Sequence, residues 1–373
     1  MIKIAHSRAI LASLAALIFS SACGHAADWL TLRAKPGTAN GKKIVLVSGD
    51  EEYRSEESCP MLAKILSQKY GFDCVVLFAI NPAGGYIDPN FQKNLPGTEA
   101  LDSADLMIIG TRFRQLPDEQ IAKFATYLNA GKPIIGFRTA THAFTGPAKT
   151  GDFQWSEFGL KILGEKWVNH HGNHKVEGTR SVIEAAHAKH EILNGVSEIF
   201  ATTDVYGIAN LDQKAATILL RGAVTETLDP TSKNLDGPKN NPLMPLAWLR
   251  EYTAPNGTTR GQALCTTLGA STDFADENLR RLIVNASFHL TGLKVPNKAE
   301  VGYIDPFQPT HYSAIDAPDF YKNRNLKPAD YALGKSPATG LLGQAPKSET
   351  QDAQKKTLIP SATPHTTSQP PPQ

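Results

Sequence analysis

A short apolar strand, Pro133 to Phe137, runs straight into Arg138-Thr139-Ala140-Thr141-His142-Ala143-Phe144, so three hydrogen-bonding side chains and one imidazole arrive together at a strand end. In α/β proteins a turn of this kind, from strand to helix, often carries a nucleophile. Here neither Ser nor Cys occupies it, and Arg138 stands in the nucleophile's place. A guanidinium is a planar fork of donors that pairs two oxygens at once. The turn therefore points to gripping a polar or anionic, oxygen-rich ligand rather than to forming an acyl-enzyme.

A second dense cluster is Trp167-Val168-Asn169-His170-His171-Gly172-Asn173-His174. Its imidazoles offer the neutral nitrogen ligands that zinc or a similar divalent ion favours. In an extended segment His170 and His174 share a face while His171 points away, so two of the three can meet one ion. The expected metal site takes His142 with His170 or His171, completed by a carboxylate from Asp50, Glu51, Glu52 or Asp204. A plain polar surface loop is the competing reading. Arg54, Arg112 and Arg138 each follow a strand; singly they read as salt-bridge partners, but at consecutive strand ends they suit a carboxylate, a phosphate or vicinal hydroxyls. Tyr53, Trp155, Trp167 and Tyr206 read either as flat faces for a sugar ring or as ordinary packing.

These side chains need a frame that gathers separate loops, and the hydrophobic pattern supplies one. Lys43 to Ser48 is a continuous apolar run whose carboxyl end is the polar loop Gly49 to Arg54. Ser58 to Tyr70 carries Met61, Leu62, Ile65 and Leu66 at helical spacing and stops at Gly71. Further strands are expected at Asp73 to Phe78, Asp105 to Gly110 and Pro133 to Phe137, with a helix from Pro117 to Ala130. The alternation predicts an α/β fold with a doubly wound, mostly parallel sheet, because parallel neighbours need crossover connections that cover both faces. Ligands bind such sheets outside the carboxyl ends of the strands, near the point where strand order reverses. Later in the chain, Thr179 to Ala185 and Ala216 to Arg221 read as strands, Met244 to Tyr252 with Gly261 to Leu268 as a hairpin, and Asp276 to Leu290 as a helix.

The 373-residue chain is 41% hydrophobic and 20% charged, and its formal charge of +2 with interspersed signs leaves no field to hold a polyanion. Nucleic acid is therefore not an expected partner. Residues 1–26 read as a signal peptide: Lys3 and Arg8, an apolar run from Ala9 to Phe19, then small residues before Ala27. A secreted or periplasmic protein is expected; lipid anchoring through Cys23 competes, but the aliphatic residue three positions before the Cys is missing. No later stretch approaches the ~18 to 20 apolar residues of a transmembrane segment. Cys59, Cys74 and Cys265 remain after cleavage, too few for a disulfide framework; a Cys59 to Cys74 bridge and buried free thiols are the two readings. Residues 27–42 read as an N-terminal linker, 43–296 as the α/β domain, 297–335 as an extended segment and 336–373 as a disordered Pro-rich tail.

Two cofactor signatures are missing. There is no Gly-x-Gly-x-x-Gly after the first strand and no Gly-x-x-x-x-Gly-Lys-Ser/Thr loop. No nucleotide cofactor is expected, and a divalent metal is the candidate that the histidines leave.

Six ordered motifs carry a family resemblance: Gly49-Asp50-Glu51-Glu52-Tyr53-Arg54-Ser55-Glu56-Glu57, Gly136 to Phe144, Trp167 to Gly172, Thr203-Asp204-Val205-Tyr206-Gly207, Gly237-Pro238-Lys239-Asn240-Asn241-Pro242 and Thr266-Thr267-Leu268-Gly269-Ala270-Ser271. Over roughly Lys43 to Pro296 the chain resembles the trehalose-utilisation (ThuA-like) domain, in its exported planctomycete-type branch. The resemblance implies a flavodoxin-like fold of the class I glutamine-amidotransferase type, without amidotransferase activity, since no Cys nucleophile stands at the elbow. It also implies carbohydrate catabolism, particularly of disaccharides and their 3-keto derivatives. Many relatives outside this branch carry His where this chain has Ala270, so no role of that imidazole transfers. The combined expectation is an exported carbohydrate-active enzyme doing isomerase, epimerase or lyase-type proton chemistry beside a carbonyl. His142, Arg138 and His170 are its expected catalytic groups, and Asp50, Glu52, Arg54, Arg112, Thr139, Trp167, Asp204 and Tyr206 its expected substrate contacts. The alternative is a non-catalytic periplasmic sugar-binding or scaffold protein.

Overall fold

In the computed structural model, which describes residues 28–315, 317 and 319–337, successive residues of each central strand point to opposite faces of one sheet and are buried on both. Ile44, Leu46, Cys74, Val76, Leu106 and Ile108 join one core; Val45, Val47, Val75, Leu77, Met107 and Ile109 join the other. Strands that are apolar on both faces need cover on both sides. Helices α1 (Ser55–Tyr70) and α3 (Glu277–Leu290) pack on the first face and α2 (Asp118–Asn129) on the second.

The main sheet holds β1 (Trp29–Leu32), β2 (Lys43–Gly49), β3 (Asp73–Phe78), β4 (Leu106–Thr111), β5 (Ile134–Phe137), β6 (Thr179–Ile183), β7 (Phe200–Ala201), β8 (Thr217–Val224), β9 (Met244–Thr253) and β10 (Arg260–Thr266). Their order is β1-β3-β2-β4-β5-β10-β9-β8-β6-β7. The central run from β3 to β10 is parallel. This is the expected doubly wound α/β core. It is extended antiparallel on both sides, through the β9–β10 hairpin and β8, β6 and β7 at one edge and through β1 at the other. The segment read as a linker thus contributes the edge strand β1, whose four residues are too short a pattern to stand out in the sequence.

Chain order reverses at β2, which has β3 on one side and β4 on the other. The carboxyl ends of β2, β4, β5 and β10 therefore open on the crevice where such folds place their ligands. The C-terminal extension returns to that crevice: Ser313 N–H donates to Glu52 O (2.9 Å), Arg54 Nη2 to Ser313 O (2.7 Å) and Thr310 N–H to Glu57 Oε2 (2.9 Å). Cys59, Cys74 and Cys265 are buried free thiols, with no bridge between Cys59 and Cys74. The expected signal peptide with Cys23, and the tail from residue 338 on, lie outside the described residues. No helix among the described residues is long and apolar enough to cross a membrane.

Candidate functional site

Three strand ends place a side-chain-bearing residue in the left-handed backbone region: Arg54 after β2 (φ 61°), Phe113 after β4 (φ 51°) and Arg138 after β5 (φ 44°). Each such residue costs roughly 1–3 kcal/mol and persists where the surroundings over-determine it. Arg138 is over-determined. Its backbone N–H donates to Leu268 O (3.1 Å), Nη1 donates to the carbonyls of Asp204 (2.8 Å) and Thr267 (2.9 Å), and Nη2 meets Asp204 Oδ1 at 3.0 Å. Its guanidinium carbon lies 3.8 Å from the centroid of the Tyr206 ring and 4.6 Å from that of Tyr53. The elbow keeps its sharp geometry, but it aims a buried cation inward at Asp204 rather than a nucleophile outward. Both Nη atoms of Arg138 are used inside the protein and its buried Nε has no partner among the described residues, so the guanidinium is placed to hold Asp204 rather than to reach the rim.

Asp204 is fully buried and holds two imidazoles. His170 Nδ1 donates to its Oδ2 (2.6 Å) and His174 Nδ1 to its Oδ1 (2.9 Å), with the two ring centroids 4.3 Å apart. A short antiparallel bridge between His170 and Tyr206 sets this up, locked by the His171 N–H to Val205 O and Gly207 N–H to Asn169 O bonds. A Cβ at Gly207 would lie 2.0 Å from Asn169 Oδ1, so any larger residue there displaces the exposed Asn169 side chain. Burial opposes ionisation of Asp204, but Arg138, His170 and His174 outweigh it and hold the carboxyl well below the usual range. For His174, burial pulls downward while the bonds to Asp204 and Glu52 outweigh it, so its pKa is raised.

A carboxylate on each Nδ1–H fixes the tautomer and leaves Nε2 on the far side of the ring. His174 Nε2 lies 3.4 Å from Glu52 Oε1, and Glu52 Oε2 lies 3.5 Å from Arg112 Nη2. Burial resists ionisation of Glu52, but the His174 bond and the Arg112 charge prevail and lower its pKa. From Arg112 the perimeter continues through Phe113, whose centroid is 4.6 Å from the guanidinium carbon. His142 follows at 5.0 Å from Phe113, Trp167 at 5.8 Å from His142, and His170 at 5.6 Å from Trp167. Glu52, His174, His170, Trp167, His142, Phe113 and Arg112 thus form a closed ring of contacts, most of them half-buried and Trp167 exposed. It combines acid, base, anion-holding and flat apolar groups around one spot.

The ring separates the residues expected from the sequence into a cleft and its support. Glu52, Arg112, His142, Trp167 and His170 line the cleft, with His174 and Phe113 added. Asp50, Arg54, Thr139, Asp204 and Tyr206 are buried behind it. Asp50 accepts from Thr139 Oγ1 and from the Glu52 and Tyr53 N–H groups, so it shapes the loop that presents Glu52. Arg54 bonds Tyr321 Oη (2.6 Å) and Ser313 O. Trp155 is core packing, fully buried. His142 is neutral, because burial first and then the Arg112 and Arg138 charges pull its pKa down to about 3. His174, which the sequence leaves in the background as a side chain sharing a face with His170, joins the ring here; the signal that promotes it is that spacing set against Asp204.

The expected metal ligands are not brought together as a set. His171 faces away, its Nε2 donating to Lys239 O (2.7 Å), because alternate residues of an extended segment point to opposite sides. The group of potential ligands among the described residues is His170, His174 and Asp204. Asp204 is unsuited to direct ligation, since both its oxygens hold ring N–H groups and one also holds a guanidinium. The arrangement instead matches an outer carboxylate that orients histidines. Glu52, which meets His174 Nε2, does not join that group, so the Nε2 side offers no three-ligand set among the described residues.

Known proteins add a family match. The ThuA family model, described as trehalose utilisation, matches residues 44–289. Solved structures similar to the chain include a ThuA-like protein from Parabacteroides merdae ATCC 43184, 17% identical over 74% of this chain and 97% of that one, with a TM-score of 0.42. Another is the glutaminase domain of Trypanosoma brucei CTPS with bound acivicin, 14% identical over 69% of this chain and 98% of that one, with a TM-score of 0.35. No curated protein matches the chain.

Proposed function

The chain belongs to the ThuA family of trehalose utilisation, and from that premise we propose that it is an enzyme that moves a proton beside the carbonyl of a disaccharide or keto-sugar, as an isomerase, epimerase or lyase. The observation that carries this reading is the pair of imidazoles sharing the buried carboxylate of Asp204 at the edge of a ring that also presents Arg112 and two aromatic faces. His170, with Nδ1–H held by Asp204, has Nε2 free as a base in its neutral form. His174, ion-paired to both Asp204 and Glu52, is the acid. Carbonyl-assisted proton transfer needs two such groups: one removes the C–H proton while the other protonates oxygen. Arg112 stands where it can stabilise developing enediolate charge, and Trp167 and Phe113 offer faces to the sugar rings.

His142 serves this chemistry as a neutral wall and acceptor rather than as the acid, since its pKa near 3 leaves it uncharged at neutral pH. The fine placement in the exported, glutamine-amidotransferase-like branch belongs to the same proposal, as does a secreted or periplasmic location. It is supported by the N-terminal charge and apolar pattern and tested by fractionating cells that produce the full chain. The function is tested by incubating purified protein with trehalose, other disaccharides and their 3-keto derivatives and following products by mass spectrometry, alongside elemental analysis of the protein. Conversion of a keto-disaccharide that is lost in His174→Gln supports the reading. Saturable sugar binding without any product identifies a binding protein instead.

A further inference from the structure

The floor beneath the two histidines is a stack of flat groups. Tyr206 lies against one side of the Arg138 guanidinium and Tyr53 near it on another, at 3.8 Å and 4.6 Å. Tyr312 stacks on Tyr53 with centroids 5.1 Å apart and rings inclined by 25°. His311 stacks on Tyr312 at 4.6 Å and 19°. Tyr206 touches His170 at 5.6 Å, whereas Tyr53 and Tyr312 touch His174 at 6.5 Å and 5.6 Å. The outer layers thus come from the C-terminal extension, outside the residues 44–289 that the family model matches.

That extension is tied down at several points around Tyr312. Tyr312 Oη donates to Thr202 O (2.8 Å), Ser271 Oγ donates to Thr310 O (3.1 Å), and Ser313 is bonded by Glu52 and Arg54 on one side and Lys175 Nζ (3.2 Å) on the other. Room for the ring comes from Ala270, fully buried in a small cluster with Tyr53 and Tyr312. A larger residue at 270 would compete for that space.

We infer that Tyr312 is a positioning residue for His174, so that the segment Thr310 to Ser313 completes a site that the family domain alone leaves unfinished. The ring closes off the side of His174 opposite the cleft and keeps its imidazole aligned on Asp204 and Glu52. This inference rests on the reading of His174 as the acid, but its physical core, the fixing of that imidazole, is tested without turnover.

The charged and titratable groups facing His174 are Asp204, Glu52, His170, Tyr53 and, from the extension, Tyr312 and His311. The test uses the full chain with Tyr312→Ala, Tyr312→Leu and Tyr312→Phe. Histidine NMR titration assigns the His174 transition, and kcat is read on whichever substrate the wild type converts. Tyr312→Ala and Tyr312→Leu should move the His174 transition back toward that of a free imidazole and reduce kcat by roughly 10- to 100-fold with little change in KM, while Tyr312→Phe stays close to wild type. Leu keeps the apolar volume, so it separates loss of the ring from loss of the fold. An unchanged His174 titration in both Ala and Leu variants, with native melting curves, overturns the inference even if the wild type has no sugar activity. Sugar turnover absent in the wild type with the titration shift present overturns the functional reading alone.

Discussion

At the scale of single residues, the site is an exercise in holding two imidazoles with one carboxylate. Removing that carboxylate leaves Arg138 buried and unpaired, so Asp204→Ala should lower stability by about 3–5 kcal/mol, measured by denaturant unfolding; a loss below ~1 kcal/mol would mean that the guanidinium is satisfied by the carbonyls alone. His142 behaves oppositely to His174 with pH. Its folded pKa of about 3 lies below its ordinary 6.5, so the unfolded chain takes up the proton first and stability present above ~6.5 declines as pH falls toward ~3. His142→Asn removes this term, and its melting temperature should drop less than that of wild type between pH 7 and pH 5; equal drops would show that His142 is not the group concerned. The residue types of this site are readable as chemistry in the sequence, because Arg, His and Trp at strand ends are few. Which of them face the ligand is not: Arg138 and Tyr206 turn inward only because β5 and the 203–207 segment meet, and no local spacing records that meeting.

Elements decide how the residues converge. The β5 elbow from Arg138 to His142 leans on the turn at Gly159, where a Cβ would stand 1.9 Å from Thr141 O. Gly159→Ala should therefore shift the elbow and lower stability by about 1–3 kcal/mol, with the His142 NMR signal moved; an unshifted signal and native stability would show that the turn adapts elsewhere. Helix α1 begins directly after the strained Arg54 and buries Glu56, whose two carboxylate oxygens have no hydrogen-bond partner among the described residues. Burial, opposed by Arg54 and reinforced by Glu57, raises its pKa from 4.5 to about 7. The fold therefore retains a proton that the unfolded chain loses first, and the stability present below ~4.5 is lost as pH rises through ~7. Glu56→Gln should melt a few degrees higher than wild type at pH 8 and the same at pH 4.5; a difference that is independent of pH would point to packing instead. Most elements are legible in the sequence: β3 runs over the expected residues, and α2, α3 and the β9–β10 hairpin differ only at their ends. Helix α1 starts ahead of the expected Ser58 because its first turn, Ser55-Glu56-Glu57, is polar yet buried under the C-terminal extension. A polar turn reads as a loop until the segment that covers it is known.

For the whole molecule, the sheet supplies a rim, the antiparallel half supplies the histidines through the 169–174 and 203–207 segments, and the C-terminal extension seals the floor. Nothing in composition could reveal that Tyr53 and Tyr312, from opposite ends of the fold, share one wall of a cleft, although the doubly wound core and its functional rim follow from the strand pattern alone. On the proposed reading, His170 takes the proton from the carbon next to a sugar carbonyl while His174, joined to it through Asp204, protonates the carbonyl oxygen. Incubation of a 3-keto-disaccharide with the full-length protein in deuterated water, read by NMR and mass spectrometry, measures that step directly. Deuterium should enter at the carbon adjoining the carbonyl with wild type and with Trp155→Phe, and should not exceed the uncatalysed background with His170→Gln or His174→Gln. Incorporation that survives both histidine variants, or that never rises above background with the wild type, would contradict the assignment of this site.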